Sequence, residues 1–248
     1  TPTVLCPNLS VNVSSGGLRR CFGNNLYVVN YCNNGTVPAD SAYIVVDFDQ
    51  FLTIDSASVP LGTPLAANQY RFDLGSVGIG HCGSFNVWVT VDCDSTILGQ
   101  AHCVAAHIYP DSICLPKDTS WDNSSLQIRT QCLPNDSILF QLINQGSGNM
   151  SSPLNYIIVE DNVMYKQGQF QLLAGQSLFE SVLANGSTYT MVATQSAGHP
   201  GNSSPISIIE GCGTNPQGNY STGILTQFPQ DDQNTFIDIL CLENVGSF

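Results

Sequence analysis

The chain has 248 residues, of which 42% are hydrophobic and 10% are charged, and ordinary soluble proteins contain roughly 25% charged residues. The hydrophobic content excludes wholesale disorder, and the length fits one large domain or two of ordinary size. The formal net charge of −13 excludes a basic nucleic-acid-binding surface and disfavours anionic lipid surfaces as partners.

The N-terminal segment, residues 1–15, reads TPTVLCPNLSVNVSS and is strand-like. We expect it to add a strand at a sheet edge or to pair with a neighbouring molecule. Its first residues lack the basic start and apolar centre of a signal peptide, which fits either a processed secreted chain or a fragment of a longer one. The sequence contains no run of 18 apolar residues, which argues against direct membrane insertion.

Two similar stretches follow. Residues 26–49 read LYVVNYCNNGTVPADSAYIVVDFD, and residues 138–162 read ILFQLINQGSGNMSSPLNYIIVEDN. Each joins two apolar strands through an Asn-x-Gly turn, so two related modules are the simplest interpretation. The sequence predicts module 1 at 16–115, a polar linker at 116–125, and module 2 at 126–248 with a C-terminal hairpin.

Alternation of apolar and polar residues is the main secondary-structure signal. In residues 85–91, Phe and three Val residues alternate with Asn, Trp and Thr, as in a half-buried strand. No stretch keeps an apolar period of 3.6 residues, so the predicted fold is all-β, with two tandem Ig-like β-sandwich domains stabilised by disulfides. Further strands are predicted at 26–31, 43–48, 101–108, 126–132, 138–144, 156–160, 189–194 and 206–210.

The ten cysteines form no CxxC pair, which argues against structural zinc and favours disulfides made in an oxidising compartment. We expect a bridge from Cys93 to Cys103 across a hairpin. Seven cysteines precede residue 120 and three follow it, so full pairing requires a bridge between the halves, for which Cys114 to Cys132 is one candidate. The disulfide candidates are Cys6, Cys21, Cys32, Cys82, Cys93, Cys103, Cys114, Cys132, Cys212 and Cys241.

Module 1 resembles the Ig-like conserved-repeat family of large bacterial surface proteins. The resemblance rests on Asn34-Gly35, the strand from Tyr43, SASVP at 56–60 and the stretch FDLGSVGIGHCGSFNVWVTVD. Module 2 is similar to the CARDB-like cell-adhesion-related bacterial domain through FQLINQGSG, YIIVEDN and LLAGQSLFESVL. These resemblances imply sandwich modules that act as stalks, spacers or adhesive units, although the dense cysteines depart from the commoner cysteine-free versions.

Five Asp-Ser steps, each followed by Ala, Thr or Ile, resemble the O-glycosylation signal of Bacteroidetes. The same dipeptide is ordinary turn chemistry, so both interpretations stay open. If the resemblance is correct, the chain is a secreted glycoprotein whose acceptor hydroxyls are exposed. The candidate acceptors are Ser41, Ser56, Ser95, Ser112 and Ser137.

Catalytic signatures such as HExxH and GxSxG are missing from the sequence, so we predict that the chain is not an enzyme. We predict no cofactor, although the acidic pairs Asp47/Asp49 and Asp92/Asp94 could bind Ca²⁺ if each pair shares a strand face; a solvated acidic face is the alternative. Trp88 and Trp121 are candidates for stacking on sugars, and Trp88 could instead pack against the linker or the other module.

The sequence therefore predicts a non-enzymatic structural or adhesive unit of a secreted bacterial surface protein. It could be the subunit of an extracellular fibre that assembles through edge strands or terminal segments. The alternatives are a carbohydrate-binding module and accessory domains of a larger secreted hydrolase. Expected partners are other copies, other surface proteins or glycans, and the expected location is extracellular, at the cell surface.

Overall fold

The computed structural model describes residues 4–96, 101–111, 118–199, 204–213 and 225–227. Every regular element in these ranges is a β-strand, which confirms the predicted all-β fold. The strands are β1 (Leu9–Ser15), β2 (Asn25–Asn33), β3 (Ala39–Phe48), β4 (Leu52–Ala57), β5 (Thr63–Ala66), β6 (Gln69–Val77), β7 (Cys82–Val91), β8 (Ala101–Tyr109), β9 (Leu126–Leu133), β10 (Ser137–Asn144), β11 (Leu154–Glu160), β12 (Val163–Phe170), β13 (Ser177–Leu183), β14 (Tyr189–Ala193), β15 (Ile206–Ile209) and β16 (Leu225–Gln227).

The first sandwich contains two sheets, with strand orders β1-β2-β7-β4 and β16-β8-β3-β6-β5. Alternate residues of β1, β2, β3 and β7 enter the core between the sheets, as the pattern in β7 predicts: Phe85, Val87, Val89 and Val91 are all buried. Strands β4 and β5, which sequence reasoning did not identify, extend the sheets beyond β7 and β6 on the same side of the sandwich.

The second sandwich has its own core between sheets of order β13-β10-β9 and β12-β11-β14-β15. It uses the same plan as the first, since β9, β10, β11, β12, β13 and β14 follow one another as β1, β2, β3, β6, β7 and β8 do. Strands equivalent to β4 and β5 do not occur between β11 and β13, so β12 and β13 are edge strands. The largest fully buried side chains here are Phe140, Ile138, Leu142, Ile158, Met191, Tyr189 and Ile209.

The N-terminal strand is an integral part of the first sandwich. β1 pairs with β2 over its whole length without a bulge, and Leu9, Val11 and Val13 point into the core. The prediction of an added edge strand is therefore correct, but the segment is not a detachable arm. Its removal would take away three core side chains and one strand of the sheet.

The C-terminal segment departs from the prediction of a hairpin that belongs to module 2. Residues 225–227 pair in parallel with β8 of the first sandwich, with Gln227 opposite Cys103. The chain thus returns from the second sandwich to the edge of a sheet in the first. Residues 228–248, which contain the rest of that predicted hairpin, lie outside the described residues.

The first Asn-x-Gly turn is organised by the fully buried side chain of Asn33. Its Oδ1 accepts hydrogen bonds from the backbone N–H groups of Asn8 (3.1 Å) and Gly35 (2.9 Å). Its Nδ2 donates to the carbonyls of Val37 (2.9 Å) and Val77 (3.0 Å). A Cβ on Gly35 would lie 2.3 Å from the backbone N of Asn8, so the turn requires glycine there.

Asn144 repeats this arrangement in the second sandwich and is also fully buried. Its Oδ1 accepts from the N–H groups of Ser125 (3.1 Å) and Gly146 (3.0 Å), and its Nδ2 donates to the carbonyls of Gly148 (2.9 Å) and Leu172 (3.4 Å). The repeated sequence pattern thus encodes one local structure twice. In each copy, a single side-chain amide joins three segments: the residue just before the first strand of the sandwich, its own turn, and a segment at or just after the end of the equivalent strand β6 or β12.

Residues 118–125, predicted as part of a polar linker, pack against the second sandwich. Ser124 is fully buried, and the carbonyls of Asn123 and Ser125 accept hydrogen bonds from the N–H groups of Gly148 and Gln145. The polar composition misled the prediction because these residues use their side chains to satisfy local backbone groups. Ser124 Oγ, for example, donates to the Asp122 carboxylate at 2.6 Å.

Candidate functional site

Three disulfides lie within the described residues: Cys21–Cys93, Cys32–Cys82 and Cys132–Cys212. Two predicted pairings are therefore wrong, since Cys93 bonds to Cys21 rather than to Cys103, and Cys132 bonds to Cys212 rather than to Cys114. The first prediction assumed a local hairpin after β7, but the chain brings the loop before β2 to that point. The second followed from the unequal number of cysteines in the two halves, which requires a bridge between them but does not show which cysteines form it.

The remaining cysteines are only partly described. Cys6 and Cys103 are disulfide-bonded, so Cys103 is not a free thiol nucleophile. Cys114 and Cys241 lie outside the described residues, and so does any bridge that they make between the two halves. Disulfides of this number indicate that the chain matures in an oxidising environment. Among the described residues, the structure contains no helix long and apolar enough to span a membrane.

Trp121 is not available for stacking on a ligand. Its side chain is buried, its Nε1–H donates to the Ser124 carbonyl at 2.9 Å, and its ring lies edge-on to His199 at 5.2 Å between centroids. Trp121 therefore anchors the predicted linker to the second sandwich. Sequence reasoning treated it as exposed because its neighbours are polar.

Trp88 lies on the outer face of the first sandwich. It is half-buried, and its β7 neighbours Val87 and Val89 face the core. The residues directly opposite it are Leu26 on β2 and Ser56 on β4. Trp88 is thus the predicted stacking residue that the structure leaves accessible on a sheet face.

A groove of about 600 Å³ lies beside Leu26, at the end of this face. Its walls come from the end of β1, the start of β2 and the loop between them, GLRRCFGN. Phe22 in this loop is 62% exposed, and Arg19, three residues before it, is also exposed. Sequence reasoning missed this groove; the signal was an aromatic residue within a glycine-rich loop that also carries arginine.

The loop that forms the groove is held by a buried amide and a disulfide. The Asn25 Oδ1 accepts from the Arg19 backbone N–H (2.6 Å), and its Nδ2 donates to the carbonyls of Phe22 (2.7 Å) and Val89 (3.2 Å). Within the loop, Cys21 is bonded to Cys93 at the end of β7 and has a positive φ of 63°. The backbone that carries the exposed Arg19 and Phe22 side chains is therefore restrained from both sides.

The candidate glycosylation serines occupy different environments. Ser41, Ser56 and Ser95 are exposed, as an acceptor hydroxyl must be. Ser137 is buried at 4% exposure at the start of β10, which contradicts the expectation of an exposed acceptor there. Ser112 lies outside the described residues.

The acidic pairs do not form the expected oxygen clusters. Asp47 is exposed, whereas Asp49, just beyond the end of β3, is buried with its Oδ2 3.1 Å from His102 Nδ1; the two carboxylates do not share a face. Asp92 caps a turn, because its Oδ1 accepts from the N–H groups of Asp94 and Ser95. No group of three or more His, Cys, Asp and Glu side chains in the described part of the chain could hold a metal ion.

A charged network joins the edge strands β12 and β13, which lie in the two sheets of the second sandwich. Glu180 on β13 accepts hydrogen bonds from the Lys166 ammonium on β12 and from the Tyr156 hydroxyl. Burial raises the pKa of the Glu180 carboxyl, but these hydrogen bonds and the Lys166 charge outweigh it, so the pKa is lowered. Burial and the neighbouring Glu180 raise the pKa of the Tyr156 phenol. Both edge strands of this side thus carry a charge that points inward.

A scan against protein-family models finds no matching family, and a search of curated proteins finds no match. The resemblances of the two modules to the Ig-like conserved-repeat family and to the CARDB-like domain therefore stay predictions.

Proposed function

We propose that the chain is a non-enzymatic structural or adhesive unit of a secreted bacterial surface protein, and that copies of it join through edge strands into an extracellular fibre. The observation that carries this proposal is the unequal treatment of the sheet edges. An exposed edge strand is a template for pairing with another chain, and proteins that stay monomeric blunt such edges with inward charges, Pro, bulges or short strands.

Most edges of this molecule are blunted in those ways. β12 and β13 carry the inward charges Lys166 and Glu180, β5 contains Pro64, and the β4–β7 pairing has a bulge between Ile54 and Ser56. β15 has only four residues, and the described residues 225–227 of β16 cover the edge of β8. These features leave few edges to which a further strand can add.

Among the described residues, β1 and β9 are the exceptions, and they occupy the same position in the two sandwiches. They have seven and eight residues, their pairing with β2 and β10 has no irregularity, and they contain no Pro. Their inward side chains are uncharged. Pairing of β1 of one copy with β9 of the next uses two different surfaces, so the contact is head-to-tail, and it yields a filament when the rotation between copies does not close a ring.

Disulfides support a load-carrying role for such a filament. Cys132–Cys212 joins β9 to the segment after β15 and spans 80 residues, while Cys32–Cys82 clamps the paired strands β2 and β7. A pull on the chain cannot extend the residues enclosed by a disulfide. The groove beside β2 favours the carbohydrate-binding alternative, and of its lining residues only Ser14 and Ser15 belong to β1.

Sedimentation velocity and electron microscopy of the oxidised full chain test the proposal. We expect oligomers that grow with protein concentration, and more strongly at about 0.5 M than at about 0.15 M salt, since salt screens the charge of −13 on each copy. Gln131→Lys adds a second positive charge to β9, on the same outward face as Arg129, and should suppress assembly, while the control Gln167→Lys on the already protected β12 should not. A monomer under all conditions, or equal behaviour of the two variants, would contradict the proposal.

A further inference from the structure

We propose that the groove beside β2 is a binding site for a neutral oligosaccharide. Its volume of about 600 Å³ lies within the roughly 300–1,000 Å³ of ligand sites in proteins. The lining combines apolar and hydrogen-bonding side chains, namely Ser14, Arg19, Phe22, Asn24, Leu26 and Val28. This proposal does not depend on assembly through β1 and β9.

The exposed aromatic ring is the first reason to assign a ligand. Phe22 is 62% exposed, although its loop is restrained by the Asn25 amide and by the Cys21–Cys93 disulfide. The exposed part of this ring adds no buried apolar area to the fold. Such a ring is, however, suited to binding, because a site that is already ordered loses little conformational entropy when a ligand arrives.

The chemistry of the lining matches a sugar. A sugar ring has an apolar C–H face and a rim of hydroxyl groups, which need both hydrogen-bond donors and acceptors. Phe22 supplies an apolar face, the Arg19 guanidinium supplies donors, and Ser14 and Asn24 supply both donors and acceptors. The lining therefore offers a partner for each kind of surface on the ring.

Charge favours a neutral sugar over an acidic one. The Asp55 carboxylate lies beside the groove, with its Oδ2 3.4 Å from the backbone N of Asn24, so the site carries a negative group as well as the positive Arg19. The net charge of −13 repels polyanions from the molecule as a whole. Arg19 then acts as a donor to hydroxyl groups rather than as a partner for a carboxylate.

The outer sheet face allows a ligand longer than one or two sugar units. Leu26 lines the groove, and Trp88 lies directly opposite it on β7; the Cβ atoms of such cross-strand pairs are roughly 5 Å apart. A sugar chain that leaves the groove over Leu26 would next contact Trp88. Loss of the Trp88 ring should therefore weaken binding of polysaccharides but not of disaccharides.

Affinity electrophoresis of the oxidised full chain tests this site. The gels contain dextran, galactomannan, xyloglucan or mixed-linkage β-glucan as neutral probes, and alginate as the acidic probe. We expect at least one neutral polysaccharide to retard the protein, and Phe22→Ala to raise the apparent Kd about tenfold. Gly17→Gln should weaken binding similarly, because Gly17 lines the groove and a Cβ added there would meet no atom within 4 Å. Phe179→Ala, which removes an exposed ring from the second sandwich, is the matched control and should bind normally.

Three outcomes would overturn the proposal. One is no retardation by any neutral polysaccharide, and another is retardation by alginate alone. The third is retardation that survives both Phe22→Ala and Gly17→Gln. Gly17→Gln decides the matter if Phe22→Ala disturbs the loop, because it adds atoms to open space and removes no contact.

Discussion

The two sandwiches join their sheets differently at equivalent places. The contact lies between β6 and β7 in the first sandwich and between β12 and β13 in the second. In the first, Phe72 on β6 and Phe85 on β7 pack together with ring centroids 4.9 Å apart, and both are buried. In the second, Lys166 on β12 and Glu180 on β13 form an ion pair there. An apolar pair and a charged pair thus occupy corresponding places in two modules built on one plan.

The correspondence follows from strand register. Phe85 lies opposite the residue four before Asn33, and Glu180 lies opposite the residue four before Asn144. The difference follows from the neighbours: β6 and β7 have β5 and β4 beside them, whereas β12 and β13 are edges. A buried interior favours aromatic packing, while an open edge favours an inward charge that prevents further strands from adding.

The largest change in unfolding free energy should come from placing a charge at the aromatic position of the first sandwich, and the reverse exchange in the second sandwich should cost less. Phe85→Glu would place an unpaired carboxylate in the first core and should cost roughly 3–5 kcal/mol of unfolding free energy. The double variant Lys166→Phe/Glu180→Phe should stay within about 2 kcal/mol of the parent chain, because replacement of an ion pair by apolar groups is often neutral. Urea unfolding followed by tryptophan fluorescence measures both.

The double variant also distinguishes two roles of the Lys166–Glu180 ion pair: stabilising the fold and preventing further strands from adding to β12 and β13. If Lys166 and Glu180 prevent strand addition, their removal in the Gln131→Lys background, where assembly through β9 is suppressed, should produce concentration-dependent association in sedimentation velocity without a loss of stability. A double variant that remains monomeric would show that the ion pair has no protective role. A large loss of stability would show instead that it holds the sheets together.

The two turn asparagines, Asn33 and Asn144, should have similar effects on stability, unlike the aromatic pair of the first sandwich and the ion pair of the second. Asn33→Ala and Asn144→Ala each leave two backbone N–H groups and two carbonyls without their side-chain partner. We expect each to lower the unfolding free energy by about 2–3 kcal/mol, since unsatisfied buried polar groups are costly. Trp88→Phe leaves Trp121 as the only tryptophan, so its fluorescence in that background reports the second sandwich.

Unequal costs would limit the structural equivalence of the turns. If Asn33→Ala is costly and Asn144→Ala is not, water or a neighbouring side chain replaces the amide in the second turn. A conservative control is available in Asn34→Ala, which alters the next residue of the first turn.

Much of the fold follows from patterns that report local structure. The alternation in β7 and the doubled Asn-x-Gly turn predicted strands and modules, because burial of one face and the turn geometry act over a few residues. The disulfide pairs and the partner of β16 depend on contacts between distant segments. Cys93 finds Cys21 and not Cys103 because β7 returns beside the loop before β2, and no spacing in the sequence shows this.

The candidate site was predictable only in part. Trp88 and Trp121 looked alike in sequence, yet one lies on a sheet face and the other is buried against His199. The glycine-rich loop with its arginines was the local signal for Phe22, but such a loop does not show whether a ring within it is exposed or buried. Its restraint comes from Asn25 and Cys93, and it is visible only in three dimensions.

Acid should weaken the second sandwich through Glu180 and leave the equivalent place in the first unaffected. Burial raises the pKa of the Glu180 carboxyl, but the hydrogen bonds from Lys166 and Tyr156 and the Lys166 charge lower it overall. A carboxyl whose pKa is lower in the folded chain than in the unfolded chain stabilises the fold above the unfolded value of about 4.3, and this contribution is lost as the pH falls through the folded pKa. Because Lys166 is 41% exposed, solvent limits the effect to on the order of 1 kcal/mol.

Glu180→Gln isolates this contribution from the other acidic groups of the second sandwich. The unfolding free energies of the parent chain and the variant, both measured by urea in the Trp88→Phe background, should differ by about 1 kcal/mol at about pH 7. They should converge as the pH falls through the folded pKa of Glu180, because the parent carboxyl then becomes neutral as well. A difference that stays unchanged as the pH is lowered until the chain unfolds would mean that the shape of Glu180, and not its charge, stabilises the edge strands β12 and β13.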